Sequence, residues 1–398
     1  MSQTNAKIRI ENLIHIYGDK PRSGLKLFRE GGTRESILQA TGQVLGIADV
    51  SFTINAGELF VVMGLSGSGK STLVRCLNRL IHPISGHIFL DDEDIVHVDE
   101  KRMRQIRLMK VSMVFQRFGL FPHRTVVENV EYGLKLRGIE KAKRHKKAME
   151  TLELVNLDQW ADYLPTSLSG GMRQRVGLAR ALATDAEILL MDEAFSALDP
   201  LIRRDMQDEL LRLQKDLHKT IVFISHDIQE ALKLGDRILV MKDGATVQIG
   251  TPEDLVEHPS DDYIRAFMQD VNRAHFLTAG SLARQATTLS VGHTSATEAL
   301  AQMMRDNLQQ LYLLDEANKP VGLVQKTDLE ALLQSGSEDL AQIMQTDFPK
   351  VKASTRLEQT FQLYQSGLPL VAIDAEGSFQ GIVEPVDVLS KMLPSSSA

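Results

Sequence analysis

Cysteine is nearly absent: Cys76 is the only one in 398 residues. A single thiol excludes an internal disulfide and any cysteine-rich zinc site, and it suits a reducing compartment. Long apolar runs are missing as well; none approaches the roughly 20 residues that a membrane-spanning helix needs. The opening residues, MSQTNAKIRIENL, have no apolar core of the kind a secretory signal carries. Nor is there an excess of positive charge. With 45 Lys and Arg against 52 Asp and Glu the net charge is −7, so no overall basic field points to nucleic acid. Together these absences predict a chain in the cytosol that reaches a membrane only through a partner.

Hydrophobic residues at 43% and charged residues at 24% are ordinary for a globular protein, and the length predicts two domains. Charge is unevenly divided. From residue 280 onward there are 8 Lys and Arg against 14 Asp and Glu, leaving a nearly balanced 37 against 38 for the rest. The acidic C-terminal part contains an internal repeat: Asp315, Gly322 and Asp328 recur as Asp374, Gly381 and Asp387, all 59 residues later. Each copy reads as an amphipathic helix, a strand, a tight turn, a second strand and a closing helix.

The first 275 residues alternate strand-like runs (Leu59–Met63, Val111–Phe115, Ile188–Met191, Thr220–Ile224) with helical stretches, which predicts a largely parallel, sandwiched α/β sheet. Residues Val126 to Trp160 are helical in pattern, and their basic stretch 141–147 reads as a solvated helix face.

Three motifs carry chemistry. Gly64-Leu65-Ser66-Gly67-Ser68-Gly69-Lys70-Ser71-Thr72 follows a predicted strand and opens a predicted helix, the full phosphate-loop pattern. Its glycines let backbone N–H groups turn toward phosphate oxygens, Lys70 reaches the β- and γ-phosphates, and the Ser71 hydroxyl ligates Mg²⁺. Glu187 to Glu193 is an apolar strand ending in two carboxylates. Asp192 is placed to hold the metal, and Glu193 to polarise the attacking water as general base. Ser169-Gly170-Gly171 opens a second helix with free backbone donors, a second anion site on the same chain. One ATP does not need two such sites so far apart in sequence, so a head-to-tail dimer is predicted.

In this order the motifs resemble an ABC transporter ATPase over residues 1 to about 275, with a helical subdomain at about 123–168. The resemblance implies that Gln116 senses the γ-phosphate and the metal, that His226 in Ile224-Ser225-His226-Asp227 holds the γ-phosphate, and that Asp199 in Ser196-Ala197-Leu198-Asp199 faces the opposite subunit at the nucleotide. It also implies that an aromatic on the first strand stacks on adenine, and Tyr17 is the candidate. The implied nucleotide contacts are Tyr17, Gly64, Ser66, Gly67, Gly69, Lys70, Ser71, Thr72, Ser169, Gly170, Gly171 and Asp199. Glu193, His226 and Gln116 are then catalytic, and Ser71, Gln116 and Asp192 face Mg²⁺. Met172 stands where many relatives carry glutamine.

The acidic repeat, residues 280–398 (copies about 280–335 and 337–393), looks like a tandem pair of CBS modules. The implied fold is therefore an α/β P-loop ABC ATPase domain followed by an α+β tandem CBS domain. Together with an insert from about Asp19 to Gly46, this pairing resembles the ATPase subunits of quaternary-amine importers for glycine betaine, carnitine or choline. That implies ATP and Mg²⁺, a second copy of the subunit, transmembrane permease subunits, an extracytoplasmic binding protein, and a place on the cytoplasmic face of the plasma membrane. Phe118 and Phe121, after Gln116, are the expected docking residues for the permease. The CBS pair is expected to be regulatory, sensing an adenine nucleotide or ionic strength, with Asp328 and Asp387 where a ribose-binding carboxylate belongs. Gln325 and Glu384 replace the usual hydroxyl residues there, and Glu384 repels a phosphate. Importers of other small solutes, and ABC ATPases outside transport, are the alternative readings.

Overall fold

The computed structural model describes residues 6–115, 119–196, 198–269, 271 and 276–392. The chain divides into two compact units, Met1–Arg265 and Ala266–Ala398. Among the described residues no helix is long and apolar enough to cross a membrane.

In chain order the first unit begins with β1 (Ala6–Tyr17), α1 (Pro21–Arg29), α2 (Arg34–Thr41), β2 (Val44–Asn55), β3 (Leu59–Met63), α3 (Lys70–Leu77), β4 (Ser85–Leu90) and β5 (Glu93–Asp94). Next come α4 (Glu100–Met109), β6 (Val111–Val114), α5 (Val126–Leu136), α6 (Lys141–Leu154), α7 (Gly170–Ala183), β7 (Ile188–Asp192) and α8 (Pro200–Leu217). It ends with β8 (Thr220–Ser225), α9 (Ile228–Leu234), β9 (Arg237–Lys242), β10 (Ala245–Gly250) and α10 (Pro252–Glu257); α11 (Asp262–Phe267) crosses the boundary.

Two sheets face each other. One is antiparallel, in the order β2-β1-β4-β5; the other runs β10-β9-β3-β8-β7-β6, with every neighbouring pair parallel except β10 with β9. The strands β3, β7 and β8 are unbroken apolar runs because both their faces are covered, and every residue in them is buried. Strand β1 instead alternates buried and half-buried positions along much of its length, the period of a half-covered antiparallel strand. Ile10, Ile54 and Ile88 from the first sheet share one core with Val62, Leu190 and Ile224 from the second, and the Phe52 and Phe60 rings stack 5.1 Å apart within it.

A separate helical lobe holds its own core, where Val130 and Leu134 of α5, Leu152 of α6 and Val176 and Ala179 of α7 meet. The basic stretch 141–147 on α6 is exposed except for half-buried Arg144. Asn129, fully buried, donates to the carbonyls of Phe121, Arg124 and Thr125 and so fixes the loop that enters α5.

The second unit contains α12 (Ala279–Leu282), β11 (Thr288–Ser290), α13 (Ala296–Arg305), β12 (Gln310–Leu314), β13 (Pro320–Gln325) and α14 (Lys326–Gln334), then β14 (Lys350–Lys352), β15 (Leu370–Ile373), β16 (Phe379–Val383) and α15 (Pro385–Met392). Its two three-stranded sheets, β11-β12-β13 and β14-β15-β16, have the same pattern of one parallel and one antiparallel pairing. The two copies share a core: Tyr312 and Leu323 of the first pack with Phe348 and Val371 of the second.

Candidate functional site

The phosphate-loop residues lie between β3 and α3. Gly64, Gly67 and Gly69 all have positive φ (147°, 79° and 101°), a region other residues enter only at a cost. A Cβ on Gly69 would also stand 2.5 Å from the Gly46 carbonyl oxygen, so the loop is pressed against β2 and tolerates no side chain there. The Tyr263 hydroxyl accepts from the Leu65 N–H at 3.3 Å and ties down the start of the loop.

Lys70 is buried and donates to the carbonyls of Gly64 (2.8 Å) and Leu65 (2.9 Å). Burial lowers its pKa, opposed by the charges of Glu193 and Asp192. The Ser71 hydroxyl donates to the Asp192 carboxylate at 3.0 Å, and Arg75 approaches the other Asp192 oxygen at 3.6 Å. Asp192 ends β7 next to β8, its register partner being Ile224.

Glu193, one residue beyond the strand, has φ 46°, strained for a glutamate. Ser196 holds that turn by donating its N–H (3.2 Å) and hydroxyl (2.9 Å) to the Glu193 carbonyl. The turn carries the Glu193 carboxylate to 3.7 Å from His226 Nδ1. Tyr17, at the end of β1, shares a 2.9 Å hydrogen bond with the Thr72 hydroxyl and packs edge-on against His15. A cleft of about 270 Å³ is lined by Tyr17, Arg34, Val44 and Gly46 on one side, by Ser66, Gly67 and Gly69–Thr72 on the other, and by Glu193.

Residues 47–196 match the ABC transporter family and residues 340–394 the CBS domain. Glycine betaine transport ATP-binding protein OpuAA of Bacillus subtilis strain 168 is 46% identical over 378 residues, 95% of this chain and 90% of the relative. Glycine betaine/carnitine transport ATP-binding protein GbuA of Listeria monocytogenes strain 10403S is 42% identical over 97% of this chain and 98% of the relative. A dimeric post-hydrolysis state of the ATP-binding cassette MJ0796, bound to ADP and Pi, superposes with a TM-score of 0.53 at 31% identity, over 62% of this chain and 98% of that one. The chain belongs to the ABC transporter ATP-binding proteins.

As a member of this family it binds ATP and couples ATP hydrolysis to transport. The cleft fits a nucleotide: it is open, Gly64 and Gly69 of its loop leave no room for a Cβ, and a buried lysine points its amine at loop carbonyls that a phosphate can replace. The Ser71 hydroxyl beside a buried carboxylate is the oxygen donor set that Mg²⁺ prefers.

The remaining predicted residues lie elsewhere. Ser169 caps α7, accepting from the Met172 N–H at 3.3 Å, and a Cβ on Gly170 would meet nothing within 4 Å, which leaves that turn open to an approaching molecule. Gly171 is closed by contrast, its α-carbon facing Ile202 of α8. None of Ser169, Gly170 and Gly171 lines the cleft of its own chain. Asp199 caps α8 by accepting from the Ile202 N–H at 3.1 Å. Gln116 and Phe118 lie outside the described residues, as does Ala197; Phe121 is half-buried against Tyr132, ring centroids 4.6 Å apart.

Sequence reasoning missed the support beneath His226. Asp227 caps α9, and the Ser225 hydroxyl accepts from the Asp227 N–H at 3.0 Å while donating to buried Glu230. Gln207 donates to the other Glu230 oxygen at 3.1 Å, and Arg203 of α8 pairs with Asp227 and reaches the Leu198 carbonyl at 3.2 Å. Burial raises the Glu230 pKa, partly offset by the bonds from Ser225 and Gln207. The spacing Asp227-x-x-Glu230 is the one available signal, a helix-start pattern whose glutamate serves a strand-end hydroxyl instead.

Proposed function

We propose that this chain is the ATP-hydrolysing subunit of an importer for quaternary amines such as glycine betaine, carnitine or choline. The observation that carries the ATPase reading is the convergence of Lys70, Ser71, Asp192, Glu193 and Tyr17 around one glycine-rich loop. The substrate class rests on similarity to OpuAA and GbuA that spans both units.

In this reading Lys70 leaves its loop carbonyls for the β- and γ-phosphates, and the adenine stacks on Tyr17. Ser71 and Asp192, with Gln116, hold Mg²⁺, which when bound neutralises phosphate charge. Glu193 orients and polarises the attacking water, and His226 holds the γ-phosphate. Ser169, Gly170 and Gly171 close over the nucleotide of a second copy, with Asp199 at the shared interface. Their absence from their own cleft and the open face of Gly170 support that arrangement. The pair works at the cytoplasmic face of the membrane beneath permease subunits that take the solute from an extracytoplasmic binding protein. The C-terminal unit is regulatory, responding to ionic strength. Asp387 is already paired with Arg284, which disfavours a ribose at that carboxylate.

The test is uptake of labelled glycine betaine, carnitine, choline and methionine by cells carrying the whole transporter, wild type against Glu193→Gln, at low and high osmolarity. Uptake of a quaternary amine that disappears in the variant supports the proposal. Uptake of methionine alone moves the chain to an importer of another solute, and equal uptake by both proteins removes the catalytic role of Glu193.

A further inference from the structure

The insert between β1 and β2 has no part in the mechanism above, yet it places one residue, Arg34, in the lining of the cleft. Its helices α1 and α2 are firmly built. Ile37 is fully buried with Ile14, Ile16 and Leu45 of the flanking strands, while Leu25 and Phe28 pack beside them. Buried Gln43 donates to the Lys20 carbonyl at 2.6 Å and accepts from the Gly24 N–H at 3.2 Å, stapling α1 to the start of β2. Thr33 caps α2 by accepting from the Ser36 N–H.

Arg34 is the first residue of α2. That is the positive end of a helix, where a cation is electrostatically misplaced. Its guanidinium extends into the cleft, donating to the Gly67 carbonyl at 3.0 Å and to the Asp243 carboxylate at 3.3 Å. About a third of the side chain remains exposed (32%). A planar group with five donors, held by a rigid insert against the phosphate loop, matches phosphate oxygens better than a lone loop carbonyl.

We propose that Arg34 is a nucleotide-binding residue contributed by the insert, which exchanges Asp243 for the phosphate chain of a bound nucleoside triphosphate. The proposal rests on the reading of this cleft as the ATP site. Asp243 competes with the nucleotide for Arg34, so the insert helps to set ATP affinity.

The test is equilibrium binding of ATP and ADP to the full-length protein. Arg34→Ala weakens ATP about ten- to a hundredfold, the size of one charged hydrogen-bonding contact, and Arg34→Lys recovers part of the loss. Asp243→Asn, which keeps a side chain tolerant of the positive φ at this turn (50°), tightens ATP binding in the wild-type background and does nothing in Arg34→Ala. Wild-type affinity in Arg34→Ala, with Lys70→Ala unable to bind, overturns the inference and leaves the cleft's identity intact. Equal weakening by Arg34→Ala and Arg34→Lys, with equally lowered melting temperatures, reduces Arg34 to a structural strut and also overturns it. A wild-type protein that binds no ATP removes both the inference and the reading beneath it.

Discussion

The two units use the same kinds of residue, glycines at tight approaches and aspartates at strand ends, to opposite ends. In Met1–Arg265 Lys70 and Glu193 line an open cleft, Lys70 resting on loop carbonyls, and buried Asp192 is bonded to the hydroxyl of Ser71 from the same lining. In Ala266–Ala398 three of the four repeated aspartates, Asp315, Asp374 and Asp387, are consumed by the fold, while half-buried Asp328 is approached by the Gln345 amide at 3.5 Å. Asp315 accepts from the N–H groups of Ala317 and Lys319, and Asp374 from those of Glu376 and Ser378, so each holds its own β-turn. Asp387 is buried and paired with Arg284, and its second oxygen finds no partner among the described residues. Gly322 and Gly381 make room for Met344 and for the Arg284 carbonyl. A repeated residue is therefore no indication of a ligand site; what matters is whether the neighbouring chain has already satisfied it.

The largest effect is expected at Glu193. Glu193→Gln should lower ATP turnover by about 10²- to 10⁴-fold, as expected for loss of a general base, while ATP binding persists and size-exclusion chromatography with ATP shows a trapped dimer. A variant that stays monomeric with ATP counts against the head-to-tail arrangement.

Glycine replacements sharpen the contrast. Gly69→Ala forces a Cβ against a backbone oxygen at φ 101° and should cost about 2 kcal/mol or more together with ATP binding. Gly322→Ala presses first on the Met344 side chain, which must shift, and should cost about 1–2 kcal/mol, leaving ATP binding as in wild type. Thermal melts and nucleotide titrations of the two variants separate these outcomes.

A smaller effect is expected at Arg284. Its guanidinium is mostly exposed, so solvent screens the pair, and Arg284→Ala should destabilise the second unit by about 1 kcal/mol through the buried Asp387 left behind. Faster hydrogen exchange in β15 and β16 with unchanged ATPase would show it.

The smallest expected effect is at Glu230, and it depends on pH. Burial raises its folded pKa above the usual glutamate value near 4.5, so between the two values the folded chain keeps a proton that the unfolded chain has released. Stability then falls as pH rises through that window. Glu230→Gln should flatten this limb in denaturant titrations from acid to neutral pH, keeping an acceptor oxygen for the Ser225 hydroxyl while Gln207, a donor in the wild type, turns its own amide oxygen toward the new NH₂. An unchanged slope would mean that Glu230 ionises freely in the fold.

The parallel core and the pattern of the phosphate loop are legible in one dimension. The runs Leu59–Met63 and Thr220–Ile224 are apolar on both faces, and a glycine loop followed by Lys70 and Ser71 has few uses other than phosphate. The C-terminal repeat is legible too, because a 59-residue offset with matching turns is a one-dimensional signal. Which charges remain available depends on long-range packing. That Asp387 is spent on Arg284, 103 residues away, that Arg34 leaves its insert for the loop at Gly67, and that Glu230 supports the histidine turn through Ser225 all depend on contacts that no local period encodes. Local spacing fixes the conformation of a segment, but the partner of a charge is set by which distant segments the core brings beside it.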